Sequence, residues 1–105
     1  MTAVTFFTDN GKITGFRIIG HSTCSEKDIE GKLVCSAISS AAYLVANTIT
    51  EIIGANCVTN VSDGELELKL VDKISESQEI LNGFKLHISE LVKQYQNRIK
   101  VVSEV

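Results

Sequence analysis

Two dipeptides constrain this chain more than anything else in it. Asn10-Gly11 and Asp63-Gly64 each separate two runs with strand character. Asn-Gly between such runs is a strong hairpin signal, because a type I′ turn needs positive φ at both central residues. Residues 2–8 and 12–19, rich in Val, Thr, Ile and Phe, are expected to form one hairpin around it. Residues 57–61 and 65–71 are expected to form a second. In Glu65-Leu66-Glu67-Leu68-Lys69-Leu70 the alternation is strict, so one face is wet and the other packed. Proline is absent, which leaves the turns to Gly, Asn, Asp and Ser.

Two helical patterns alternate with these hairpins. Over residues 34–53, Val34, Ile38, Ala41, Val45, Thr48, Ile49 and Ile52 fall at helical spacing, with Cys35, Ala42 and Ile53 beside them. Small residues crowd its first turns (Ser36, Ala37, Ser39, Ser40, Ala41, Ala42) and allow close approach by a neighbour. Gly54 is placed to end the helix. Residues 75–97 repeat the pattern with Ile80, Phe84, Ile88, Leu91 and Tyr95. Ser75 and Gln78 offer a capping box, and Gly83, costly in a helix interior, suggests close packing. Residues 99–102 read as a last short strand. The order ββ-α-ββ-α-β predicts an α+β, two-layer sandwich, a mostly antiparallel sheet with two helices on one side, as a single domain over residues 1–105.

Composition narrows the function classes. At 105 residues with 44% hydrophobic content and a mean hydropathy of +0.14, the chain has enough apolar surface to fold and is not disordered. A net charge of −3 argues against a broad basic surface for direct nucleic-acid binding. The basic residues Lys85, Lys93, Arg98 and Lys100, with Tyr95, read as a solvated face. Three cysteines without a C-x-x-C pair exclude a complete disulfide framework and fit a reducing cytosol. No signal-peptide pattern opens the chain. No apolar run nears the roughly 20 residues of a membrane span, so no membrane partner is expected.

Residues 20–33 have no period of either kind, and a polar loop this long inside a small domain is usually functional. His21 stands at its start and Cys35 at its end, on the predicted start of a helix. A Cys and a His held near each other are the minimum apparatus for thiol nucleophilic catalysis. A cysteine titrating near its ordinary value is only about 3% thiolate at neutral pH. Reaching mostly thiolate takes about 2.7 kcal/mol, and a helix N-terminus typically supplies about 0.3–1 kcal/mol, up to about 2 in favourable geometry. A protonated imidazole supplies the difference and later protonates the leaving amine. The same helix start would offer unpaired N–H groups to an oxyanion. Glu26, Asp28 or Glu30 would orient the imidazole, unless they are solvated loop charges. Other readings stay open. Cys35 is also a small apolar residue among Val34, Ala37 and Ile38. His21, Cys24, Cys35 and His87 are a conceivable metal set, although their spacing matches no zinc ribbon. Cys24 is a conceivable redox-sensitive or resolving thiol. Cys57 reads as a buried strand residue, and His87 as a surface or core-edge histidine.

Gly20-His21-Ser22, a polar loop, and then Val34-Cys35-Ser36-Ala37-Ile38-Ser39 resemble the bacterial ribosomal-processing cysteine protease family, Prp. Asp63-Gly64-Glu65-Leu66 resembles the second hairpin of that family. Leu81-Asn82-Gly83-Phe84-Lys85-Leu86 and Tyr95-Gln96-Asn97-Arg98-Ile99-Lys100-Val101 resemble its closing helix and strand. The resemblance spans essentially the whole chain. It implies a cytoplasmic homodimer without cofactor or metal, a thiol endopeptidase in ribosome biogenesis. Its substrate would be the N-terminal extension of a large-subunit ribosomal protein of the bL-twenty-seven family. Cys35 would be the nucleophile and His21 the base, the loop over residues 22–32 a gate, and an apolar pocket would take aromatic residues before the cut. In this chain Lys32 replaces the family's Asp three residues before the nucleophile, Gly31 is displaced by one position, and Ser22 and Ser36 replace alanines. A dyad, or a carboxylate borrowed from Asp28 or Glu30, is the expected consequence. The alternatives are a non-catalytic ribosome-associated binding module and a metal-binding domain.

Overall fold

Asn10 and Gly11 both take positive φ, 52° and 77°, the conformation that closes a type I′ turn. They join β1 (Thr2–Asp9) to β2 (Lys12–Ile19), with a register shift at Phe7/Thr8. The computed structural model describes residues 1–20 and 27–105. The chain then forms α1 (Ile29–Asn47), which continues as a π-helical segment over Thr48–Ile53. Next come β3 (Cys57–Ser62) and β4 (Glu65–Leu70). In their turn only Gly64 has positive φ, 75°, so this hairpin is not of the I′ type. A short 3₁₀ turn, Ser75–Ser77, leads into α2 (Gln78–Gln94), and β5 (Ile99–Glu104) closes the chain.

The five strands make one sheet in the order β3-β4-β2-β1-β5, with β5 parallel to β1 and the other pairs antiparallel. The alternation of side chains sorts the sheet into two faces. On the helix side, Val61, Leu66, Ile18, Val4 and Val101 form one cross-strand row. Leu68, Phe16 and Phe6 form the next, all fully buried. Phe84 of α2 meets Phe6 and Phe16 edge-on, with ring centroids 5.7 Å and 4.9 Å away, the geometry aromatic quadrupoles favour. On the opposite face Arg17 pairs with Glu67 and Glu104, and Arg17 and Lys69 lie over the Phe7 ring. The α+β, two-layer reading therefore holds, with the order of elements along the chain as expected.

Several local expectations are corrected. α1 starts five residues earlier than its apolar pattern suggested, because Asp28 caps it by accepting the Gly31 N–H at 3.0 Å. The buried stripe runs Val34, Ile38, Ala42, Val45, Ile49. Ala42, expected beside the main stripe, is fully buried in it, and Ala41 is only partly buried. The wider π turn carries Ile52 outward, where it is 80% exposed. Ile29–Ile53, 25 residues, is long and apolar enough to cross a membrane by length and composition, a run the polar Glu30 and Lys32 had masked. Its stripe packs here in the domain core. Ser75 and Gln78 make no capping box. Ser75 Oγ accepts from Lys12 Nζ at 2.7 Å. The Gln78 amide instead pairs with both backbone groups of Ile13 at 2.8 Å, tying α2 to β2. Leu81 joins the core, and Gly83 is exposed, with nothing within 4 Å of where a Cβ would stand. The close packing expected at Gly83 is absent.

Two nearby substitutions in α2 separate the packed face from the exposed one. Phe84→Ala should lower stability by about 3–5 kcal/mol, the usual cost of truncating a buried aromatic. Leu86→Ala, at a side chain 63% exposed, should stay within about 0.5 kcal/mol. Urea denaturation of the two variants against the parent checks both.

Candidate active site

The site is built on one side of α1 and the sheet row beneath it. Cys35, Ser39 and Tyr43 follow one another at steps of four residues, so they share a helix face, with Ile38 beside them. Opposite stands the row Val61, Leu66, Ile18, set by the pairings Val61↔Leu66 and Ile18↔Leu66. Between them lies a cleft of about 180 Å³ whose remaining lining includes Thr2, Gly20, Ser62 and Gly64. Its walls are mixed, with apolar Ile18, Ile38, Val61 and Leu66 next to the Ser39 and Ser62 hydroxyls. Cys35 is half-buried and faces this space.

Gly20 fastens the far end of the cleft. Its φ is +97°, and its N–H donates to the Gly64 carbonyl at 2.9 Å. A Cβ there would stand 2.7 Å from the Met1 carbonyl oxygen, so both the conformation and the space require glycine. The residue that precedes His21 in sequence is thus locked to the β3–β4 turn and lines the same cleft as Cys35. His21 itself, with Cys24 and Glu26, lies outside the described residues.

The other candidate residues are distributed differently from the expectation. Cys35 is seven residues beyond the Asp28 cap, about 10 Å along the helix. Its own N–H is therefore inside the helical ladder, and the macrodipole, felt within the first turn, is centred elsewhere. The oxyanion donors expected from a helix start at Cys35 are displaced with it. The loop is correspondingly shorter, since Ile29–Lys32 are helical, and Lys32 is exposed on α1. Asp28 is not a solvated loop charge, being 12% exposed at the helix cap, while Glu30 stays largely exposed but stands on the first turn of α1. Both face Arg98, which in turn is a half-buried ion-pair partner and not part of a solvated basic face. His87 is exposed on α2 and lines a separate groove between the helices. Among the described residues no group of three His, Cys, Asp or Glu side chains is placed to hold a metal ion. Ser39 and Tyr43 were missed by the sequence reading, although their spacing from Cys35 was a sufficient signal. Val61 and Leu66 required the strand register.

The chain matches the family described as cysteine protease Prp over residues 1–100. It belongs to that family. It is therefore a cysteine protease by descent, and its fold agrees with solved structures. A ribosomal processing protease Prp from Staphylococcus aureus, crystallised with a covalently linked product peptide, superposes with a TM-score of 0.85 at 24% identity, covering 99% of this chain and 100% of that one. The structure of that protease with a substrate peptide gives 0.86 at 20% identity, with the same coverage. A protein from Streptococcus mutans gives 0.80 at 18% identity, covering 99% of each chain. No curated protein sequence matches the chain.

Cys57 is a second cysteine among the described residues. It lies half-buried on β3, its Sγ 3.8 Å from the Ala55 carbonyl. Burial first, and the nearby Asp72 carboxylate second, push its thiol above the ordinary cysteine value. A raised value means less thiolate at any pH below it. Alkylation by iodoacetamide, mapped by mass spectrometry, should therefore be slow at Cys57 at pH 7.5 and rise only at more alkaline pH than for a model thiol.

Proposed function

We propose that this Prp family member is a processing endopeptidase that removes the N-terminal extension of a large-subunit ribosomal protein of the bL-twenty-seven family. The observation that carries the reading is the shared cleft of Cys35 and Gly20, the residue before His21, in a chain of cysteine protease descent. Support for the substrate comes from the Staphylococcus aureus relatives, described as ribosomal processing proteases and bound to substrate and product peptides. The Ile18, Val61 and Leu66 wall suits aromatic residues preceding the cut. On this reading the enzyme works in the cytoplasm, where its substrate is made.

The reaction assigned to these residues is acyl transfer through sulfur. His21 takes the Cys35 proton as the sulfur attacks the scissile carbonyl, forming a C–S bond and a tetrahedral oxyanion. The C–N bond then breaks and His21 gives its proton to the leaving amine. A water, deprotonated by His21, attacks the thioester, releasing the carboxylic acid and the Cys35 thiol. Because Cys35 lies two turns into α1, beyond the reach of the helix terminus, the proton transfer is assigned to the imidazole.

A homodimer is part of the same proposal. Ala37, Ala41 and Gly83 line a groove of about 540 Å³ between α1 and α2, and Leu44, 64% exposed, stands at it. Small residues flanked by an exposed Leu suit helix-to-helix contact with a second copy.

Wild-type protein mixed with the extended ribosomal protein should shorten it by one N-terminal segment, followed by mass spectrometry. Cys35→Ala and His21→Ala should reduce the rate by at least about 10³-fold. Binding without turnover by the wild type would instead support the non-catalytic module, and undiminished cleavage by Cys35→Ala would reject the nucleophile. Sedimentation equilibrium should give twice the 11.4 kDa chain mass, shifting toward monomer in Leu44→Asp. A monomeric wild type at tens of micromolar would overturn the dimer.

A further inference from the structure

The chain enters α1 through Asp28, whose carboxylate engages both Gly31 and Arg98 among the described residues. Oδ1 accepts the Gly31 N–H at 3.0 Å, capping the helix. Both oxygens also accept from Arg98, Nη1 to Oδ2 at 2.5 Å and Nη2 to Oδ1 at 2.9 Å. Arg98 Nε lies 3.5 Å from Glu30 Oε1 on the first turn of α1. The backbone of Arg98 is itself held. Its N–H donates to the Tyr95 carbonyl at 3.1 Å, and its carbonyl accepts the Thr2 N–H at 3.0 Å. One guanidinium thus links the head of α1 to the α2–β5 junction and to the start of β1.

The pair is not an ordinary surface ion pair. The Asp28 side chain is 12% exposed and that of Arg98 23%, and the contact is a two-pronged fork that fixes direction as well as distance. An exposed single contact would contribute little. Seven residues separate Asp28 from Cys35, about 700° of helical rotation, so the two lie on the same side of α1 two turns apart. A helix held at its head by a directional fork keeps both its tilt and its rotation, and Cys35 moves with it.

Resting on the proteolytic reading above, we propose that Arg98 is a positioning residue for that reaction. By clasping Asp28 it orients α1 and so places the Cys35 sulfur against the wall formed by Ile18, Val61 and Leu66. Arg98 lines no part of that cleft. It acts through the helix.

The test compares wild type, Arg98→Ala, Arg98→Lys, Asp28→Asn and the double variant Asp28→Asn/Arg98→Ala. Cleavage of the extended ribosomal protein is measured per folded molecule, well below the melting transition of each. A misplacement of about 1 Å can cost about 100-fold in rate. Arg98→Ala should therefore lower kcat by about 100-fold with KM within about twofold. Arg98→Lys, which keeps the charge but loses the fork, should recover about tenfold of that. The double variant should be no slower than Arg98→Ala, since both changes remove one interaction. Unchanged kcat in Arg98→Ala, a loss confined to KM, or a double variant showing the product of the two single losses would each overturn the proposal.

A second measurement does not depend on the substrate. Hydrogen exchange of the amides over residues 31–36 should quicken by about tenfold or more in Arg98→Ala, with the β1 and β2 amides unchanged. Normal protection there beside an active wild type overturns the clasp alone. A wild type that cleaves nothing overturns the proteolytic reading and the kinetic role of Arg98 with it.

Discussion

The Phe84 ring, set edge-on against Phe6 and Phe16, is the contact on which the arrangement of layers depends. It seats α2 over β1 and the central strand β2. α1 packs beside it in the same core, with Val34, Ile38, Ala42, Val45 and Ile49 facing inward. The two helices leave part of the β3–β4 hairpin uncovered on their own side, where Val61 is 63% exposed. The cleft is that uncovered strip. Core packing and active-site shape are thus two results of one placement, and the row Val61, Leu66, Ile18, Val4, Val101 belongs to both.

The site is held by polar fastenings at the periphery of the core. Gly20 is bonded to the β3–β4 turn, Gln78 grips the backbone of Ile13, and Asp28 joins α1 to Arg98. Each satisfies backbone or charged groups that would otherwise lose hydrogen bonds on burial. The cleft is bounded by elements that these contacts keep in register, so a nucleophile on a helix is set against strands far away in sequence.

Much of this was legible before any coordinates. Asn10-Gly11 demanded a hairpin because few other residues accept two successive positive φ values. The alternation in Glu65–Leu70 named the packed face of β4. The helical stripes were read at the right period, but Ala41, Thr48, Ile52, Ile80 and Tyr95 lie outside the fully buried set, and Ala42 and Leu81 belong to it. The head of α1 was misread because Glu30, Gly31 and Lys32 carry no apolar period, and a helix start depends on a cap. That cap, Asp28, is a capping residue by type, but it is also paired with Arg98, seventy residues away.

Sequence alone determined the order of elements, the two turns, the amphipathic faces and the residue types of a thiol protease, because these follow from local backbone preference and periodicity. It also carried the family, through Gly20-His21 and Val34-Cys35 at opposite ends of one segment. Only the tertiary structure decided how deep in its helix Cys35 lies, which carboxylates are engaged by Arg98, and which strand residues wall the cleft. Those outcomes depend on strand register and on ion pairs between distant residues. Both are set by the simultaneous burial of several elements, which no local pattern encodes.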